Sequence, residues 1–288
     1  MLLTTVLLWS LNFTVTKYVL THGFRPLAYS TIRYGAAAVI FAGFTAQREG
    51  TLSVRRRDLW LLGLAAVVGI WMNQLGYVYA IRFGTASTTA LILGITPIFA
   101  AAGAWAVGLE RLSRRFWLAA LVSSVGVALV AIGSGGGIST NLKGDLFAVF
   151  TAATWAAYSL AITPLMRRYS SFRVSAIVLL LGWIPLAATA APQLAKQDFH
   201  LHAVVWLMLV YAVVGPLVVT NVLWFTAIGR VGPSRATLFA NLQPFVATVF
   251  AVLLLSESIG WIQIVGGALI GLALLLSRAR RPPVPPAD

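Results

Sequence analysis

The chain has 288 residues, 59% of them hydrophobic and 10% charged, with a mean hydropathy of +0.88. Soluble domains run at about 45–50% apolar and about 25% charged, so this composition excludes a water-soluble fold for want of polar surface. The net charge of +14 would suggest a nucleic-acid partner in a soluble protein. In a membrane protein the same excess follows from the preference of Lys and Arg for one side, and no nucleic-acid partner is predicted.

In chain order, ten apolar runs reach the roughly 20 residues that a bilayer crossing needs. They are Met1–Leu20, Leu27–Gln47, Leu59–Ile81, Ala86–Gly108, Phe116–Ile132, Asp145–Leu165, Val174–Ala191, Ala203–Ile228, Ala236–Ser256 and Trp261–Ser277. The first run lacks a basic leader and reads as a retained span, not a signal peptide. Residues 279–288, which include RRPPVPP, read as a disordered cytoplasmic tail. With the N-terminus inside, 15 basic residues fall on the inner side and 4 on the outer, while Lys17 and Arg33 lie within spans. That asymmetry predicts a multi-pass protein of the plasma (inner) membrane with both termini cytoplasmic.

An internal repeat underlies the ten runs. Gln74, Tyr77, Ala80, Ser87, Pro97 and Glu110 overlie Asn221, Trp224, Ala227, Ser234, Pro244 and Glu257 at a constant offset of 147, and Trp9 pairs with Trp155 at 146. The predicted organisation is a five-helix repeat over 1–132, a Gly-rich outer linker over 133–143 and a second five-helix repeat over 144–278. Five is odd, so the second copy is inverted. The predicted fold class is an all-α membrane protein of ten transmembrane helices arranged as two inverted five-helix repeats, an architecture of many secondary transporters.

Five stretches carry a family resemblance. WSLNFTVTKYV and STIRYGAAAVIF resemble the opening of a first EamA domain, and WAAYSLAITPLMRR that of a second. STTALILGITPIFAAAGAWAVGLERLSRRFWLAALVSSVGVALV and ATLFANLQPFVATVFAVLLLSESIGWIQIVGGALIGLALLL resemble the two domain ends. Together they are similar to the EamA-type ten-span transporters of the drug/metabolite transporter superfamily, over nearly the whole chain. Ser10 departs from the Gly that often follows the first-span Trp in that family. The resemblance implies export or exchange of small polar metabolites by alternating access, amino acids including aromatic ones first among them. The alternative substrates are phosphorylated or nucleotide-linked metabolites, and a channel or scramblase is the alternative class. The protein is expected to act as a monomer or homodimer in the lipid bilayer.

The polar residues within spans supply the candidate site. Lys17 and Arg33 lie at depth with no Asp or Glu in the middle of any span. Either an anionic substrate group such as a carboxylate supplies their counter-charge, or both snorkel to the outer interface. Trp71, Gln74 and Tyr77 share a stripe of the third span, and Asn221 and Trp224 share the equivalent stripe of the eighth. Amides flanked by aromatic rings suit a polar substrate with a planar or apolar side group; the competing reading is interhelical hydrogen bonding. Asn12, Asn73, Trp155, Tyr158 and Gln243 complete the substrate-binding candidates. Pro97, Pro244 and the pair Gly215–Pro216 are expected to bend their helices, as gates or as static kinks.

With no cysteine and with His22, His200 and His202 in loops, no metal, cofactor or catalytic residue is predicted, and the chain is not expected to be an enzyme. A depth without acids predicts facilitated transport or exchange. Glu110 and Glu257 are read as packing and topology determinants.

Overall fold

The computed structural model describes residues 1–83, 89, 92–109, 112–133, 141–246, 249–250 and 260–277, with the side chains of 13, 14, 17, 81, 82 and 131 left out. Glu110, Glu257, Ser87, most of the Gly-rich linker, the tail and the Lys17 side chain lie outside the described residues.

All regular structure among the described residues is helical. The α-helices are α1 (Leu2–Thr21), α2 (Pro26–Glu49), α3 (Leu59–Ala66), α4 (Asn73–Phe83), α5 (Thr96–Ala106), α6 (Arg114–Gly133), α7 (Leu142–Ile162), α8 (Ser171–Leu194), α9 (Ala203–Val213), α10 (Thr220–Val231), α11 (Pro233–Ala240) and α12 (Trp261–Leu276). Among the described residues, five continuous helical stretches are long and apolar enough to cross a membrane: Pro26–Glu49, Arg56–Ala80, Leu142–Arg167, Ser171–Leu194 and Ala203–Val231. Leu2–Asn12 and Trp261–Leu276 are shorter apolar helices.

Local chemistry sets the helix ends. Pro26 opens α2 in the first turn, where a missing N–H costs nothing. Gly50 closes it at φ 67°, a left-handed position that suits glycine. The Asn141 side chain accepts from the N–H groups of Lys143 (3.1 Å) and Gly144 (3.4 Å) to cap α7, and Ser170 caps α8 by accepting from Arg173 N at 3.1 Å.

The helices pack in pairs, α2 along α8 and α6 along α12, with α7 against α4 and α5. At the α6–α12 crossing the backbones meet through glycine. A Cβ on Gly126 would sit 2.7 Å from the Gly266 carbonyl oxygen, and one on Gly266 2.6 Å from that of Gly126. Small residues permit this approach where lipid supplies no hydrophobic drive for association.

Two helices contain π-helical segments, Val67–Met72 between α3 and α4 and Val214–Val219 between α9 and α10. They stand 147 residues apart, the offset of the sequence repeat. The second contains Gly215 and Pro216, so the proline expected to bend the helix sits in a widened turn, as its missing N–H favours. The first has Gly69 at the equivalent position and was not anticipated. The Tyr158 ring lies flat against Gly69, in space that any Cβ would fill.

Pro97 and Pro244 each follow a turn that interrupts a helix, at Gly94–Ile95 and at Asn241–Leu242. The Leu93 carbonyl, which Pro97 leaves without an amide donor, accepts the Thr96 hydroxyl at 2.6 Å. The Gly94 carbonyl accepts from the Asn241 amide and the Ser124 hydroxyl, both at 3.0 Å. Asn241 thus bonds to the residue 147 positions before it. The broken backbone is satisfied by side chains, as buried carbonyls require.

One end of the bundle gathers Met1, Glu49–Asp58, Leu109, Leu112, Thr163–Arg173 and Gly229–Arg235. Here the buried Asp58 carboxylate takes the Arg168 guanidinium and, at 2.7 Å, the Tyr169 hydroxyl, while Glu49 takes Arg173 Nε at 2.9 Å and the Ser170 hydroxyl. The Tyr169 hydroxyl also accepts from Arg55 N at 3.0 Å. These bonds clamp the α2–α3 loop onto the α7–α8 loop. Asp58→Asn is expected to speed tryptic cleavage after Arg55, Arg56 and Arg57 several-fold; an unchanged cleavage rate would show that the carboxylate does not hold this loop.

At the opposite end the α1–α2 turn is tied to the end of α8. Arg25 N and Leu27 N donate to Gln197 Oε1 (2.7 Å) and Gln193 Oε1 (2.8 Å), and Arg25 Nε donates to the Lys196 carbonyl at 2.9 Å.

Candidate functional site

Where α1 faces α10, three indoles meet. Trp9 lies 5.5 Å from Trp155 in a T-shaped contact and 5.0 Å from Trp224, and Trp155 lies 5.9 Å from Trp224. Tyr158 joins at 5.5 Å from Trp155, and Phe225 packs 6.0 Å from Tyr158. The Trp9 indole N–H donates to the Pro216 carbonyl at 3.1 Å, so the π segment holds one corner of the cluster. The Ser10 hydroxyl donates to the Gln243 carbonyl at 3.1 Å, tying α1 to the interrupted helix beside Pro244. Serine in place of glycine at this position therefore adds a bond across helices.

Beside the cluster, polar atoms are buried without a partner. Trp224 is 1% exposed and its Nε1–H has no acceptor; Asn12 Oδ1 is buried with no donor. Asn221 is buried as well. Asn12 follows Trp9 by three residues on α1, and Asn221 precedes Trp224 by three on α10. Residues three apart share a helix face. With Trp9 against Trp224, the antiparallel register brings Asn12 and Asn221 to the same level, one turn toward the Arg25 end. Buried polar groups are nearly always bonded, so an orphan donor and an orphan acceptor beside one aromatic cluster call for an explanation.

The other predicted residues separate. Gln74, Arg33 and Tyr77 line a small cavity between α1, α2 and α4. Trp71 does not stand with Gln74, since its indole donates to Thr189 Oγ1 of α8 at 2.9 Å. It lies inside the π segment, whose extra residue offsets the stripe that an even helix would show. Asn73 donates to the Thr151 carbonyl (3.0 Å) and Thr154 Oγ1 (3.1 Å), binding α4 to α7. Trp9, which stands at the centre of the indole cluster, is not among the sequence-predicted candidates. The signal was present in its repeat pairing with Trp155 and its spacing to Asn12.

At the Arg-rich end a cavity of about 320 Å³ opens between Leu109, Leu112, Thr163 and the Ile228–Pro233 stretch, with Arg167, Arg230 and Arg235 around its mouth. The three guanidiniums form no ion pair among the described residues.

An apolar helical bundle with interrupted helices and unsatisfied polar atoms between them is the build of a membrane transport protein. The chain belongs to the EamA-like transporter family, whose profile matches residues 1–132 and again 142–279. It is 26% identical to a probable terminal-alkyne amino-acid exporter of Streptantibioticus cattleyicolor, over 96% of this chain and 92% of that one. It is 24% identical to a probable amino-acid metabolite efflux pump of Salmonella typhimurium and 26% identical to one of Escherichia coli, in both cases over 94% of this chain and 91% of the relative. A solved crystal structure superposes with a TM-score of 0.79 at 18% identity, covering 96% of this chain and 94% of that one, which speaks to the fold alone. The protein is a membrane transporter of the EamA type.

Proposed function

We propose that this transporter is a ten-span carrier made of two inverted five-helix repeats, 1–132 and 144–278, with both termini on the cytoplasmic side of the plasma membrane. It exports or exchanges small polar metabolites, amino acids with apolar or aromatic side chains first among them, by alternating access. The single observation that carries the reading is the pair of unbonded polar atoms, Asn12 Oδ1 and Trp224 Nε1, beside the Trp9–Trp155–Trp224 cluster. A ligand amino group suits Asn12 Oδ1 and the faces of the rings. The side chain of the ligand stacks among the indoles.

The repeat reading is supported by two coincidences at the offset of 147: the paired π segments, and the Asn241–Gly94 bond between the two helix breaks. Matched breaks of this kind point to the moving parts of a carrier. The names of the exporter and efflux-pump relatives support an amino-acid cargo. The charged end supports the orientation, since it collects the arginines that favour the cytoplasmic side. The 320 Å³ cavity at that end supports an inward-facing conformation.

Counterflow in proteoliposomes tests this. Vesicles preloaded with each of a panel of amino acids are expected to accumulate the same labelled compound for at least one aromatic or large apolar member. Trp224→Ala is expected to lower that uptake about tenfold, the loss of one good ligand contact. If no amino acid accumulates in folded protein, the amino-acid reading falls. The Arg167, Arg230 and Arg235 cavity favours a second reading, phosphorylated or nucleotide-linked metabolites, which the same panel detects when sugar phosphates and nucleotides are included.

A further inference from the structure

Arg33 is 5% exposed, on α2 two turns in from Pro26. A guanidinium charge is costly to bury without an anion. It does not snorkel. It lies 5.0 Å from the Tyr29 ring centroid and 5.3 Å from that of Tyr34, with Nη2 reaching Gln74 Oε1 only at 3.5 Å. The Nε–H is buried with no acceptor. None of the described acids compensates the charge: Glu49 holds Arg173, Asp58 holds Arg168, Asp198 holds His200, and Asp145 forms no ion pair.

Beside Arg33 lies a cavity of about 10 Å³, bordered by Thr16, Tyr29, Ser30, Gln74 and Tyr77. That is close to the room one water molecule, or one carboxylate oxygen, takes up. Its lining includes hydroxyl, amide and guanidinium side chains beside the apolar Leu20, Pro26 and Val78, and no acid. Thr16 follows Asn12 by four residues on α1, so the cavity sits one turn, about 6 Å, beyond the paired amides toward the Arg25 end.

We propose that the Arg33 cavity receives the carboxylate of the transported molecule; this rests on the central site proposed above and adds an orientation to it. The carboxylate points toward the Arg25 end, the amino group lies at the level of Asn12 and Asn221, and the side chain reaches back into the indole cluster. A guanidinium with a free Nε–H engages a carboxylate through paired charge-assisted hydrogen bonds, with Ser30 and Gln74 at hand as further donors. The same charge repels an ammonium. The carrier therefore selects carboxylates and rejects the corresponding amines and amides, which share the side chain but lack the anion.

The test is binding, read as the rise in melting temperature of purified protein in detergent, so that it does not depend on transport. The probes share one ring: L-phenylalanine, 3-phenylpropionate, L-phenylalaninamide and 2-phenylethylamine. The two carboxylates are expected to stabilise the protein at concentrations about tenfold below those needed for the amide and the amine. Arg33→Gln is expected to erase that preference, and Arg33→Lys, which keeps the charge but loses the fork, to leave part of it. Equal responses to acid and amide, no response to either carboxylate, or a preference that survives Arg33→Gln in folded protein would overturn the proposal. Should Arg33→Gln fail to fold, Arg33→Lys and the acid-to-amide ratio of the unmutated protein decide it. A response to 3-phenylpropionate that disappears in Arg33→Gln but persists in Asn221→Ala and Trp224→Ala would keep the anion site and sink the central one. The reverse pattern would sink the anion site alone.

Discussion

Gly126→Val is expected to lose most of its folded population in detergent, with a fall in melting temperature far larger than any surface substitution produces. The added Cβ would meet the Gly266 carbonyl oxygen at 2.7 Å and Ile270 Cγ1 at 2.8 Å. Gly266→Val would meet the Gly126 carbonyl oxygen at 2.6 Å and Val130 N at 2.8 Å, so the two glycines form one reciprocal contact. Three of these four obstacles are backbone atoms, which cannot rotate aside, so α6 and α12 must separate. Overpacking of a well-packed core costs about 1–3 kcal/mol and sometimes more, and here it also strips contacts along the rest of the crossing. Helix propensity acts the other way, since replacing glycine within a helix gains up to about 1 kcal/mol. Gly43→Ala and Gly63→Ala isolate that gain, because a Cβ at either position meets no atom within 4 Å. They are expected to leave the melting temperature unchanged or slightly raised. A Gly126→Val protein that melts with the controls would show that α6 and α12 do not meet as described.

The sequence and the structure agree most closely where length and composition decide. The run Leu27–Gln47 lies within α2 (Pro26–Glu49), and Val174–Ala191 within α8 (Ser171–Leu194), because an uninterrupted apolar stretch has no alternative to helical hydrogen bonding in lipid. Pro97 and Pro244 are legible as interruptions for the reason that makes proline legible anywhere, the missing N–H. The π segment at Val67–Met72 has no such marker. Its turn is held open around Gly69 by the Tyr158 ring, a contact across 89 positions that no local pattern encodes.

Rotation about the helix axis was the larger gap. The depth of Arg33 could be counted from Pro26, but whether it faced lipid or protein depended on where Tyr29, Tyr34 and Gln74 stand. Trp9 was similarly ambiguous, since an indole in an apolar run reads equally as packing. The arginines at 168 and 173 were counted only for the side they mark. Their pairing with Asp58 and Glu49 joins loops more than a hundred residues apart.

Asn221→Leu, alone and with Asn12→Leu, is expected to abolish transport, lowering counterflow of the cargo at least about tenfold, while leaving the protein as stable as before or more so. The two competing accounts of these amides predict opposite signs of the stability change. If they were interhelical glue, each would hold a partner, and a change to leucine would forfeit about 1 kcal/mol of hydrogen bonding and strand whatever it had bonded. Asn12 Oδ1 holds none, being a buried acceptor without a donor, and Asn221 is buried at the same level of the facing helix. An unbonded buried amide is a standing cost, so an apolar group of similar size relieves it at the expense of whatever the amide was kept for. Functional positions are where sequences tolerate such costs. The measurement pairs melting in detergent with counterflow on the same preparations. Lower stability with transport intact would assign the amides to packing and remove the substrate from this part of the molecule. Lost transport with stability held or raised would place it between α1 and α10, since neither leucine leaves a cavity large enough to explain the loss by collapse.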